Sequence, residues 1–335
     1  MSATPLVSVL LASRNGARLL PRALEGLAAQ TYPAVEIVAV DDGSSDDTHA
    51  VLSAFAARHG RMRVLATSGL GAGPARNLAA ANATGELLAV HDDDDRSHPE
   101  RLARQVAFLG THPRIAVVGS DADVLDESDR VVGRYGVPIG AAAIRRVARR
   151  DPPFVHGSVT MRRAAFEAAG GYRAAFRLSE DLDLFLRLPV AGFANLPERL
   201  YAWRRHDGGS ASRAREAMLD YAAAARWFAA QRRASGRDEV ERLAAAGSVR
   251  ALLEETGAAG LALELAIAYA RHGRGAAARA FARRALSAGA PPARALAALA
   301  LATAVELTPR GARGRAATRT PRPEVATAPG AGSWR

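Results

Sequence analysis

Four consecutive carboxylates, Asp92, Asp93, Asp94 and Asp95, follow directly on an apolar run, Leu87 to Val90. Pro99 then opens a helical pattern carrying Leu102, Val106 and Leu109 at helix spacing. Ligands of open α/β sheets sit beyond the carboxyl ends of strands, so a buried strand emptying into an acid cluster reads as a site. Two unit charges 4 Å apart repel by about 4 kcal/mol at an effective dielectric near 20. Four adjacent acids therefore imply either a flared, solvated loop or a bound cation. The alternative, an acidic turn without function, weakens because other polar groups also fall at strand ends: Asn15, Asp41 with Asp42, Arg76, Asp181 and His206.

Those residues need a frame to bring them together. Leu6 to Leu11 and Val35 to Val40 read as buried strands of a parallel sheet, and Arg63 to Ala66 as a short third. The helix carrying Leu19, Ala23, Leu24 and Leu27 separates the first two and is stopped by Gln30 to Pro33. Ser45 or Asp46 can cap the next helix, Thr48 to His59. The glycine-rich stretch Ser68 to Asn77 lacks the G-x-G-x-x-G spacing of a dinucleotide site and reads as a loop feeding a helix with Pro near its start, either plain or placing Arg76 over phosphates. Beyond the acids come a short strand, Ile115 to Val118, and a hairpin-like excursion, Asp121 to Arg134. An apolar strand, Pro152 to Arg162, is interrupted by His156-Gly157-Ser158, which either lines a pocket or turns the chain. A helix from Leu178 to Leu188 starts with Glu180, Asp181 and Asp183, where its dipole favours acids, and a final strand spans Ala194 to Arg204. Strands alternating with helices predict a doubly wound, mainly parallel α/β sheet over residues 1–210. Alanine-rich helices follow over 211–309, and a disordered basic tail is expected over 310–335.

The chain has 335 residues and a formal charge of +11, with no cysteine, so disulfides, thiolate metal sites and a cysteine nucleophile are excluded. All 45 basic residues counted as Lys or Arg are arginine. Through Ser210 charge nearly balances, and the excess lies after Ala211. A basic periphery favours anionic membrane surfaces or nucleic acid, but no basic patch interleaved with aromatics suggests the latter. With no signal peptide and no apolar run of about 20 residues, a cytoplasmic chain is expected, with peripheral contact at the inner face of the membrane.

Together the strand-end groups suit a sugar nucleotide. Carboxylates accept from a base and ribose, a diphosphate takes a divalent cation held by hard oxygens, and an attacking hydroxyl needs a carboxylate base. The order and wording of the motifs resemble the family 2 glycosyltransferases, which have the Rossmann-like GT-A fold. The resemblance spans about the first 210 residues. It rests on Val7 to Leu11, Val40 to Thr48, Ala75-Arg76-Asn77, Ala83 to Glu86, Asp92 to Asp95 with His98-Pro99, Gly170-Gly171-Tyr172 and Glu180 to Asp183. It implies that Asp42, with Asp41 behind it, binds a uracil-type base and that Asn15 and Arg76 join the donor site. Asp92 would face the ribose, Asp93 would occupy the variable middle position, and Asp94 would hold Mn²⁺ or Mg²⁺ with His206. Asp181 would be the catalytic base of an inverting transfer. Asp95, Glu180, His156 and Ser158 would support the site or the acceptor. Implied partners are a nucleotide-sugar donor and a glycan, lipid-linked or small-molecule acceptor, with a homodimer as one use of the helical region. Ala12 and Arg14 stand where the family commonly has Pro and Tyr, and His91 replaces an aliphatic residue. The competing readings are a sugar-phosphate nucleotidyltransferase, disfavoured by the absence of lysine, and a catalytically silent binding module.

Overall fold

The computed structural model describes residues 4–148, 151–205 and 214–307. These divide into two compact units, one of residues 4–173 and 187–205 and one of residues 174–186 and 214–307.

The first unit is built on a mixed sheet. Its strands are β1 (Val7–Ser13), β2 (Val35–Asp42), β3 (Met62–Thr67), β4 (Leu87–Asp92), β5 (Arg96–Ser97), β6 (Val117–Leu125), β7 (Val131–Tyr135), β8 (Thr160–Arg162) and β9 (Phe193–Arg204). Spatial order is β3-β2-β1-β4-β8-β6-β9-β5, with β7 on β6. Pairing is parallel across β3, β2, β1 and β4 and between β6 and β9, whereas β8 is antiparallel to both neighbours. Central β1 and β4 are buried on both faces, which is why each reads as a continuous apolar run rather than an alternation.

Helices α1 (Leu20–Ala28), α2 (Thr48–His59), α3 (Ala72–Ala81) and α4 (Arg101–Thr111) cover this sheet: α1 and α4 fall where the apolar periodicity puts them, α2 where its cap does, and α3 begins inside the glycine-rich stretch with Pro74 in its first turn, so that Arg76 is helical. Leu20, Leu24, Leu27, Leu102, Val106 and Leu109 join Val7, Val9 and Leu11 in one core. Three elements differ from the sequence reading. The strand expected at Ile115 to Val118 runs on to Leu125, because Asp121 and Asp123, which look like loop residues, are paired with Arg134 and Arg199. The stretch Pro152 to Arg162 is a strand only at its end, with a turn of 3₁₀ helix at His156–Ser158. The helix expected from Leu178 to Leu188 is a single short segment, Glu180–Phe185.

In the second unit, helices Arg215–Ser235, Val240–Ala246, Val249–Thr256, Ala259–Arg271, Gly275–Ser287 and Pro292–Leu307 follow one another. Gly236, Gly247 and Gly257 end three of them in the left-handed conformation that glycine adopts without a Cβ clash. Leu219, Phe228, Leu252, Leu265 and Ala282 share one core with Phe176 and Leu182 of the 174–186 segment. Arg250 ties the helices together: its Nε donates to Asp220 Oδ2 at 2.6 Å and its guanidinium lies 4.8 Å from the Phe281 ring centroid. Among the described residues no helix is long and apolar enough to cross a membrane. Residues 310–335 lie outside the described residues.

Candidate active site

Strand register decides which ends meet. Ala12 pairs with both Val40 and Asp92, and Ser13 with Asp41, so the carboxyl ends of β1, β2 and β4 finish level. Asp41, Asp42 and the acid loop that starts at Asp92 therefore share one edge of the sheet.

The loops after β1 and β2 are laced together. Asn15, left-handed at φ 56°, accepts at Oδ1 from the Ser45 N–H at 2.8 Å, and its own N–H donates to Ser44 Oγ at 2.9 Å. Asp46 accepts from the N–H groups of Thr48 and Ala17, so it is a helix-terminal brace. Asp41 accepts from the Ser44 N–H at 3.1 Å. Asp42 is buried and accepts three bonds, from Thr67 Oγ1 and the Leu70 N–H at 2.6 Å and from the Gly71 N–H at 2.8 Å. A carboxylate offers about four acceptor positions, so Asp42 chiefly holds the glycine-rich loop and keeps little capacity for a ligand. Gly43 makes that approach feasible. It has φ +72°, and a Cβ there would lie 2.8 Å from the Gly69 nitrogen.

Asp92, Asp93 and Asp94 are partly exposed and Asp95 is buried. Burial would raise the Asp92 carboxyl, but Arg76, His156 and His91 more than offset it, and the net shift is downward. The Arg76 guanidinium, itself buried, meets Asp92 Oδ1 at 2.6 Å. Asp93 moves the other way, to about 7, through burial and the neighbouring Asp94 charge, despite a bond from the Ser13 hydroxyl. Asp95 is also raised, by burial and then by Asp94 and Asp92. Crowded hard-oxygen ligands whose charges oppose one another suit a divalent cation. Among the described residues no three acids or histidines form a complete metal cage. That donor set fits a cation taking one or two carboxylates here and its remaining ligands from phosphate and water. His206 lies outside the described residues.

The loop stands on buried groups that the sequence pattern did not expose. Arg101 is fully buried, and its Nη1 donates to the carbonyls of Val90 at 3.0 Å and Gly157 at 2.6 Å. Its guanidinium lies 5.4 Å from the centroid of the Tyr201 ring, and the Tyr201 hydroxyl accepts from the Asp92 N–H at 3.2 Å. Gln105, one turn on, donates to the Ser158 carbonyl at 2.7 Å. Arg204 closes the other side: its N–H donates to Asp95 Oδ1 at 2.7 Å, its Nε to the Asp94 carbonyl at 2.7 Å and its Nη1 to the Asp126 carbonyl at 2.8 Å. One signal was available. Arg101 and Gln105 sit four apart on the apolar stripe of α4, where polar residues are out of place without buried partners.

His156 and Ser158 have different fates. His156 Nε2 lies 2.8 Å from the Tyr172 hydroxyl, and burial with the nearby Arg76 charge depresses its pKa to about 3, so it is neutral at pH 7. Tyr172 is fixed in turn by Asn77, whose amide bonds both its N–H, at 2.9 Å, and its carbonyl, at 2.7 Å. Ser158 is fully buried, and its hydroxyl donates to the Val155 carbonyl at 2.7 Å, so it braces the 3₁₀ turn instead of lining an open surface. Gly157 between them has no room to spare. A Cβ would overlap the Tyr201 hydroxyl and lie 2.8 Å from Asp92 Oδ2. Gly157→Ala is expected to destabilise the fold by about 1–3 kcal/mol. It should lower activity further than that loss of folded protein accounts for, because the displaced atoms belong to the acid loop. Urea melts beside steady-state kinetics on the folded fraction would test this; unchanged kinetics would detach Gly157 from the site.

Glu180 and Asp181 belong to the second unit, in the first turn of α7 (Glu180–Phe185), whose preceding helices α5 (Ala141–Ala148) and α6 (Arg163–Ala168) lie in the first. Asp181 is partly exposed, whereas Asp183 is fully buried. Of the two, only Asp181 has its side chain open to solvent.

Residues 8–170 match the profile of glycosyl transferase family 2. The putative glycosyltransferase EpsE of Bacillus subtilis (strain 168) is 34% identical over 215 residues, covering 61% of this chain and 74% of that protein. The amylovoran biosynthesis glycosyltransferase AmsE of Erwinia amylovora is 33% identical over 184 residues, covering 54% and 68%. Among solved structures, S. aureus TarS 1–349 in complex with UDP-GlcNAc superimposes with a TM-score of 0.58 at 17% identity, covering 90% of this chain and 91% of that one. The mannosyltransferase PcManGT from Pyrobaculum calidifontis, in complex with GDP-Man and Mn²⁺, gives 0.56 at 20% identity, covering 94% and 84%.

Proposed function

Because this chain belongs to the family 2 glycosyltransferases and has their GT-A fold, we propose that it moves a sugar from a nucleotide diphosphate donor, UDP-linked, to an acceptor hydroxyl with inversion at the anomeric carbon. The observation that carries the reading is the level ending of β1, β2 and β4, which gathers Asp41, Asp42, the Arg76–Asp92 pair and the acid loop at one sheet edge.

In this reading Asp41, Asp42 and Asn15 form the wall against which the nucleoside is held. Asp92 and Asp93 face the ribose and the sugar. Asp94 holds a Mn²⁺ or Mg²⁺ ion, with His206 as a further ligand. Such an ion, when bound, neutralises the charge that develops on the departing diphosphate. Arg76 keeps Asp92 ionised and oriented. Asp181 takes the proton of the acceptor hydroxyl as its oxygen attacks. The acceptor is a glycan, a lipid-linked glycan or a small molecule, and the enzyme works in the cytoplasm, where nucleotide sugars are made. Arg14, exposed beside the glycine-rich loop, offers a guanidinium plane for the base in place of an aromatic ring.

A panel of UDP-, GDP-, dTDP- and CMP-sugars, each with and without Mn²⁺, would test the reading by thermal shift. A donor at about 100 times its Kd stabilises the fold by about 2.7 kcal/mol. A UDP-sugar with Mn²⁺ is expected to give the largest shift, and Asp94→Asn to remove its metal-dependent part. That variant should also lower turnover by about 10²–10³. If no nucleotide sugar shifts the transition with or without Mn²⁺, the chain is a binding module of another kind.

A further inference from the structure

The sheet order sets β4 between two different neighbourhoods. On one side lie β1 and β2, whose carboxyl ends present Asp41, Asp42 and the loop of Asn15. On the other lie β6 and β9, which run in the direction of β4 because β8 is antiparallel to both of its neighbours. Their carboxyl ends therefore reach the same edge of the sheet. The acid loop is tied to this second side. The Asp92 N–H donates to the Tyr201 hydroxyl of β9, and Arg204, at the end of β9, donates to Asp95 and to the Asp94 carbonyl.

Between Tyr201 and Arg204, Trp203 meets an aromatic partner. Side chains alternate along a strand, so Trp203 shares a face with Tyr201. Tyr135 of β7 stands opposite Ala122 of β6, and Ala122 opposite Tyr201, so Tyr135 is on that face too. Strands β7 and β9 flank β6 and lie about 10 Å apart at ordinary strand spacing. The β6 residues between the rings are the short Ala122 and Val124, and Val124 faces Gly133 on one side and Trp203 on the other. The two rings lean inward over them, with centroids 6.0 Å apart and planes at 68°. The pair packs on a core of Ala122, Val137, Val155 and Tyr201, and both residues keep part of their surface open to solvent.

We propose that Tyr135 and Trp203 form the acceptor subsite and stack on the C–H face of a pyranose ring, so that the acceptor is a glycan. The proposal rests on the glycosyltransferase reading above and adds the acceptor class to it. A sugar ring has apolar C–H faces and a polar rim. It matches a half-exposed corner of ring faces with a phenol O–H and an indole N–H at their edges. The donor's base and ribose belong across the acid loop, with β1 and β2, which leaves this side to the incoming hydroxyl. A lipid chain would need a longer apolar groove than two rings over Ala122 and Val124 supply.

The test is saturation-transfer NMR on the full chain with the methyl α- and β-glycosides of glucose, galactose, mannose and N-acetylglucosamine, in the presence of UDP and Mn²⁺. At least one glycoside is expected to bind, with saturation strongest at the ring protons of one face. Trp203→Leu and Tyr135→Leu keep apolar cover over the core but remove a flat face, and each should raise the Kd of that glycoside by about tenfold. Trp203→Phe keeps an aromatic face and should raise it by about threefold or less. All three variants should keep the parent's circular dichroism and donor-induced thermal shift. Leucine variants that bind the glycoside as the parent does would overturn the subsite and leave the transferase reading standing. So would a parent that binds no glycoside but still shifts with donor. Binding of p-cresol without any glycoside, abolished by the leucine variants, would assign the corner to a phenolic acceptor instead. Absence of both donor shift and glycoside binding would overturn the transferase reading and the subsite with it.

Discussion

Asp181→Asn is expected to lower turnover by about 10²–10⁴ while leaving donor affinity, read as the metal-dependent thermal shift, unchanged. Asparagine keeps the shape of the side chain and cannot accept a proton, so the loss isolates the base step. The position suits the role. Asp181 is partly exposed in the first turn of α7, following Ser179, which is left-handed at φ 54°. Its neighbour Leu182 is buried with Phe176 in the helical core, and Ser179 Oγ donates to the Met218 carbonyl at 3.2 Å, so the segment is anchored from behind. Asp183→Asn is the control. Asp183 is fully buried, so its replacement should act on stability and spare the kinetics of the folded fraction. An Asp181→Asn enzyme with parental turnover would move the base elsewhere, Glu180 being the next acid on the same turn.

Arg101→Met should cost about 3–5 kcal/mol of stability and abolish metal-dependent donor binding in whatever protein folds. The change keeps an unbranched apolar stem but removes the buried guanidinium and its charge. It leaves the Val90 and Gly157 carbonyls without the donor that joins them, one on the strand before the acids and one on the turn behind them. Burial lowers the Arg101 guanidinium to about 10, so it remains a cation at neutral pH and offsets Asp92 and Asp95 across the Tyr201 ring. Arg101→Lys keeps the charge, but its ammonium sits one bond nearer the backbone than the Nη1 that both carbonyls share and has no planar face for the Tyr201 ring, so it should restore stability more than donor binding. Urea denaturation and the thermal-shift assay read the two effects separately. Arg101→Met with intact donor affinity would make Arg101 a core residue with no bearing on the site.

The acids were legible in the chain because each lies directly after an apolar strand, and a strand buried on both faces can be read without knowing its neighbours. The spacing of Leu19, Ala23, Leu24 and Leu27 places α1 for the same reason: periodicity is local. By contrast, β6 was truncated at Val118, because Asp121 and Asp123 lose the cost of burial only when Arg134 and Arg199 come from distant parts of the chain. The surroundings of Asp42 are equally beyond local reading. Its three donors, Thr67 at the end of β3 and Leu70 and Gly71 in the glycine-rich loop, come from 25 to 29 residues on.

What the sequence determined alone, then, is local: element type, the acid clusters at strand ends, and the charge segregated into the last helices and tail. Only the tertiary structure decided that β1, β2 and β4 end level, that Arg101, Tyr201 and Arg204 carry the acid loop, and that Asp181 travels with the helical unit. Each of these depends on pairs of residues far apart in the chain, and a buried charge becomes tolerable only where such a partner is folded against it.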